Sequence, residues 1–89
     1  MQEKVKEITE TDVSNETGRS LIVHNDEIHS FEYVIEKLIE ICDHHTEQAV
    51  QCTYIIHHKG KCDVKKGSYD ELKPLKDKFT SAELGATIE

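Results

Sequence analysis

A small mixed α/β (α+β) domain of order β-α-α-β-α-β, a three-stranded sheet packed on three helices behind a flexible N-terminal tail, is the fold the sequence predicts. Three observations predict it. Phe31, Val34, Ile35, Leu38, Ile39 and Cys42 recur at the spacing of one helix face, the strongest periodic signal in the chain. Leu21-Ile22-Val23 is a β-branched run bounded by a polar cluster, which reads as a strand. The length, 89 residues, suffices for one small domain and no more.

The elements follow in order. Met1 to about Arg19 holds five acids, three bases and isolated apolar residues without period, so a solvated tail over residues 1–20 and a folded core over 21–89 are expected. The first strand stops at His24-Asn25-Asp26-Glu27, rich in turn formers. Ser30 is placed to cap the first helix, with Glu32 favourable in its first turn. Asp43-His44-His45 breaks that helix and Thr46 is placed to cap a second, whose inward face is Ala49, Cys52, Thr53 and Ile56. His57, His58 and Lys59 crowd its last turn and Gly60 supplies the left-handed residue that ends it. Cys62, Val64 and Lys66 alternate with polar neighbours in a second strand ended by Gly67. Ser68 to Glu71 fits a capping box, but Pro74 would then lie far inside the helix, which favours a start at Asp70. Leu72, Leu75 and Phe79 give the third helix its apolar stripe, and Gly85 to Ile88 reads as the last strand.

Eleven Lys and Arg against eighteen Asp and Glu give a formal charge of −7, which disfavours nucleic acid and anionic membranes as partners. No apolar run is long enough to span a bilayer, and the N-terminus lacks the apolar core of a signal peptide, so a cytoplasmic protein is expected. Cys42, Cys52 and Cys62 are odd in number and form no CxxC, which argues for reduced thiols over a disulfide scaffold.

Six histidines and three cysteines invite a metal reading, with Cys42, His44, His45, Cys52, His57, His58 and Cys62 as candidates. Zinc wants four such ligands in close pairs, and here Cys42 and Cys52 fall on apolar helix faces where small core residues belong. No metal site and no cofactor is therefore predicted. Phosphate loops, GxSxG and HExxH are absent, and no cysteine stands clear of an apolar face, so an enzyme is not predicted. One set is more suggestive. A strand ending at Asn25-Asp26 and a helix ending with His57 can meet at one rim of an open sheet. Amide oxygen, carboxylate and neutral ring nitrogen are three acceptors, and an ammonium is three donors without an acceptor. The set suits a primary amine such as a peptide N-terminus; an Asx-turn and a helix-end histidine are the bland alternative.

With these residues on the page, LIVHNDEIHSFEYVIEKLIE followed by QCTYIIHHKGKC resembles the ClpS family of N-end rule adaptors. The likeness runs from about Leu21 to Glu89 and rests on the NDD-type turn, the aromatic-Val-Ile helix and the H-x-x-G-K helix end. The resemblance implies a βααβαβ domain that captures proteins with a destabilising N-terminal Leu, Phe, Tyr or Trp and hands them to a Clp-family AAA+ unfoldase-peptidase. By the same resemblance Asn25, Asp26 and His57 would hold the α-amine, and Phe31, Thr53, Ile56 and Leu84 would line the side-chain pocket. Glu27 and His29 would stand at the rim, and Glu71 and Lys76 would face the N-domain of a ClpA-like unfoldase, with the tail engaged during hand-over. A monomer is expected.

The departures are specific. Phe31 and Thr53 stand where familiar members carry methionines, the first of them a gatekeeper against β-branched residues. His29 and Ser30 stand where Thr-Pro is common. Two rivals remain at this point: a small Cys/His metal-binding protein, and a modulator of the unfoldase with the same fold but without substrate capture.

Overall fold

The computed structural model describes residues 18–89, so the expected N-terminal tail lies, but for its last residues, outside the described residues. Six elements follow one another: β1 (Arg19–His24), α1 (Phe31–Cys42), α2 (Thr46–Lys59), β2 (Lys61–Gly67), α3 (Tyr69–Ser81) and β3 (Ala86–Ile88). The strands form one sheet in the order β2-β1-β3, antiparallel at both seams. The predicted α+β class and element order therefore hold.

β1 is central because its β-branched run is covered throughout: Leu21 and Val23 are fully buried and Ile22 is nearly so. It is longer than the apolar run alone suggests. Ser20 exchanges two backbone hydrogen bonds with Glu89, at 2.7 and 2.8 Å, so the seam with the chain end begins before Leu21. The ladder between β1 and β2 is interrupted where Leu21 faces Lys65 and Ile22 faces Asp63. Val64 is the extra residue of a β-bulge, and its side chain is buried beneath the helices. The bulge also changes the expected alternation: Gly67, not Lys66, is the covered residue at the end of β2.

The helices bury the faces that their spacing foretold. Val34, Leu38 and Cys42 from α1, Ala49, Thr53 and Ile56 from α2, and Leu72 and Phe79 from α3 meet on the sheet. Phe79 and Leu38 have no exposed surface, and truncating either to alanine would cost about 2–5 kcal/mol.

Their ends carry three findings. Ser30 caps α1 as predicted, its hydroxyl accepting the Tyr33 N–H at 3.1 Å. α2 does not use Thr46 as its cap: His45 holds the extended cap conformation, Thr46 is the first helical residue, and no side chain completes the cap. α3 begins at Tyr69, not after Asp70, because the full capping box forms. The Ser68 hydroxyl accepts the Glu71 N–H at 3.1 Å and the Glu71 carboxylate accepts the Ser68 N–H at 2.8 Å. Pro74 is thus the sixth helical residue. Both it and Asp70, whose carbonyl loses its partner, are exposed, so water can replace the missing bond.

Among the described residues, no helix is long and apolar enough to cross a membrane.

Candidate functional site

The end of β1 is clamped between two turns. His24 N–H donates to the Gly85 carbonyl at 2.9 Å, and Asn25 N–H donates to the Gly60 carbonyl at 2.8 Å. Gly60 is the left-handed residue that ends α2 (φ 95°), and its own N–H closes onto the Ile56 carbonyl. A side chain at that φ would be strained, so glycine is what lets α2 stop there and bring its last turn beside the β1 end. His57 lies in that turn. The backbone hydrogen bond from Asn25 to Gly60 therefore places Asn25, Asp26 and His57 around one cleft.

The cleft's lower wall is apolar. Phe31 from α1, Thr53 and Ile56 from α2, and Leu84 from the α3–β3 turn line it together with Val23 and Val34. Thr53 is buried and its hydroxyl donates to the Ala49 carbonyl at 2.7 Å, which satisfies the polar atom within its own helix. Thr53 thus acts as an apolar wall. Leu84 is 2% exposed, following Glu83, whose left-handed backbone (φ 67°) turns the chain from α3 into β3.

The space enclosed is small, about 10 Å³, roughly one water. Phe31, the first residue of α1 and 37% exposed, is part of the lining, and its ring meets the His57 ring edge-on.

The polar lip is organised by Asp26. Its Oδ1 accepts the backbone N–H of Ile28 and of His29, each at 2.9 Å, and its Oδ2 meets His29 Nδ1 at 2.8 Å. Partial burial works to raise the Asp26 pKa. The hydrogen bonds from the His29 backbone and ring and the Ile28 N–H outweigh it, so the carboxyl lies below its ordinary value and is ionised at neutral pH. Asp26 is thus both the Asx-turn of the bland reading and a wall of the cleft.

Every residue expected to hold the amine or line the pocket borders this cleft, and so does His29. Glu27 does not: it is exposed and outside the lining set. Glu71 and Lys76 lie on α3, where Glu71 closes the capping box and Lys76 is half-buried. His24, Ser30, Val23 and Val34 also border the cleft and were not named as site residues from the sequence. Ser30 and His24 adjoin motif residues, which is the signal that was there to use.

The thiols and remaining histidines do not assemble into a second centre. Cys42, Cys52 and Cys62 are free, and among the described residues no group of three or more His, Cys, Asp or Glu side chains gathers as metal ligands would. Burial pushes the Cys42 thiol up to about 11 and that of Cys62 to about 12, where the neighbouring Cys52 adds to the effect. These are protonated thiols, unsuited to nucleophilic attack at neutral pH. His44 lies in the α1–α2 connection, as expected, and is buried there, with its Nε2 2.8 Å from the Val64 carbonyl. It ties the α1–α2 connection to the bulge in β2.

Comparison with known proteins identifies a relationship. Residues 14–85 match the model of the ClpS family, ATP-dependent Clp protease adaptor protein ClpS. Among solved structures, Agrobacterium tumefaciens ClpS2 bound to L-phenylalaninamide is similar in fold. The match has a TM-score of 0.68 and 19% identity, over 80% of this chain and 93% of that one. No curated protein sequence matches the chain.

Proposed function

The chain belongs to the ClpS family of Clp protease adaptors, and from that premise we propose that it captures proteins through a free N-terminal amine and a bulky first side chain, Leu, Phe, Tyr or Trp. It passes them to the N-domain of a ClpA-like AAA+ unfoldase for degradation in the cytoplasm. It acts as a monomeric, non-enzymatic adaptor.

One observation carries this reading: three acceptor side chains and an apolar wall border the same cleft. The ammonium donates to the Asn25 amide oxygen, the Asp26 carboxylate and the neutral His57 ring. The first side chain displaces Phe31 and packs on Thr53, Ile56 and Leu84. Burying a large side chain supplies about 1.5–3 kcal/mol. An ammonium donor left without a partner in the cleft would cost about 1–3 kcal/mol or more. The two requirements together select a free amine that carries a bulky residue. That the Agrobacterium relative holds L-phenylalaninamide, a free α-amine on a phenylalanine side chain, supports the same assignment. Glu71 and Lys76 on α3 serve as the unfoldase contact, and Glu27 stands beside Asp26, outside the cleft lining.

The test is fluorescence anisotropy with labelled peptides beginning Leu or Phe, the same peptides N-acetylated, and a peptide beginning Met. Binding confined to the free Leu or Phe amine is expected. Equal binding of the acetylated peptide would overturn the reading, and so would no binding at all.

A further inference from the structure

His29 has contacts that a rim residue does not need. Its ring stacks on Tyr33 with centroids 4.7 Å apart and planes 15° from parallel, and its side chain is only 13% exposed. The Tyr33 hydroxyl in turn donates to the Ala82 carbonyl, at the end of α3, at 2.9 Å. One face of the imidazole is thus held by α1, and α1 is held here by α3. The other end of the ring meets Asp26 Oδ2 at 2.8 Å. A carboxylate only accepts, so Nδ1 carries the proton.

We propose that His29 is the positioning residue of the amine site, holding the Asp26 carboxylate so that one Oδ2 lone pair remains directed at the incoming ammonium. An ionised carboxylate offers about four acceptor directions. Two on Oδ1 are taken by the Ile28 and His29 amides, and one on Oδ2 by the His29 ring. What remains is one direction, beside a cleft that Asp26 and His29 both border. Without the ring, the carboxylate can rotate about its remaining anchor and present either oxygen, or neither, to the ligand. The inference rests on the adaptor reading above and gives a role to a residue that reading leaves at the rim.

Two variants of the full chain test it. His29→Leu keeps bulk against Tyr33 and removes the donor. His29→Asn keeps an amide N–H near the place of Nδ1 and loses the stack. Two readouts are needed: affinity for a labelled peptide beginning with Phe, and the ionisation of the Asp26 carboxyl followed by carbon-detected NMR titration. His29→Leu is expected to weaken the peptide by about tenfold or more and to raise the Asp26 pKa, and His29→Asn to recover most of both. A purely structural role would weaken binding in both variants alike and would not be rescued by Asn. If the wild type binds and His29→Leu binds as well, the positioning role falls and the adaptor reading stands. If the wild type binds neither the free nor the acetylated peptide, the adaptor reading fails and takes this one with it.

Discussion

The Phe31 and His57 rings meet edge to face, centroids 5.9 Å apart and planes at 77°, so the histidine proposed to accept from a ligand's amine is in contact with the aromatic ring proposed to yield to the ligand's side chain. If Phe31 gates the cleft, displacing it also frees that edge of His57. Phe31→Ala is expected to speed association and to narrow the preference for Leu over Ile or Val, because removing the ring leaves room beside the cleft for a β-branched side chain. The half-exposed ring contributes little to the core, so the loss of stability should stay near 1–2 kcal/mol. Stopped-flow binding of Leu- and Ile-initial peptides checks both halves. An unchanged association rate would show that Phe31 does not gate the cleft.

Acid should act on the site through Asp26. The Asp26 carboxyl is depressed below its ordinary value by the hydrogen bonds it accepts, so its charge is fully present above that value and disappears only as pH falls through the lowered folded value. Capture is therefore expected to outlast the ordinary carboxylate range and to be lost below it, where a protonated Asp26 no longer serves as an ionised acceptor for an ammonium. Asp26→Asn should lose affinity at every pH. Anisotropy titrations of both proteins check this, and a variant that binds as tightly as the wild type removes Asp26 from the amine site.

Much of this was legible in the sequence, for identifiable reasons. α1 was legible because six apolar residues repeat with the helical period, and the end of α2 because Gly60 allows a left-handed stop. That Asn25, Asp26 and His57 would border one cleft was legible because the strand and the helix that carry them were expected to end at one rim of the sheet. Other features depend on residues far apart in the chain. Nothing near His44 announces burial: its partner is the Val64 carbonyl, twenty residues on, at a bulge that only pairing with β1 creates. The α3 start was misjudged because the rule against an internal proline was weighed without the exposure of Pro74 and Asp70, which softens its cost. The edge-on contact of Phe31 with His57 depends on a rotamer, on which periodicity is silent.

The three thiols should resist alkylation in the native protein. Burial holds Cys42 at about 11 and Cys62 near 12, and it raises Cys52 as well. At pH 8 the thiolate fraction of the first two is then about a thousandth or less, against roughly a quarter for an unperturbed thiol. Iodoacetamide labelling of Cys42 and Cys62, followed by intact mass, should run at least about a hundredfold slower than in denaturant, and Cys52 should also be slowed. Native labelling of Cys52 or Cys62 at the rate of a free thiol would contradict the packing of α2 on β2.

The last prediction concerns how α3 starts. Gly67 lies against the capping box: a Cβ built there would come within 2.7 Å of Glu71 Oε1, the oxygen that accepts the Ser68 N–H. The carboxylate is at the end of a flexible side chain and can move, but moving it breaks the box. Gly67→Ala should therefore cost about as much as losing a cap, roughly 1 kcal/mol, and Ser68→Ala about the same. Because both changes dismantle one two-bond unit, the double variant should cost clearly less than their sum, whereas independent sites would add. Chemical denaturation of the two singles and the double measures it. Strict additivity would mean that alanine at 67 destabilises through the strand and leaves the Glu71 carboxylate in place.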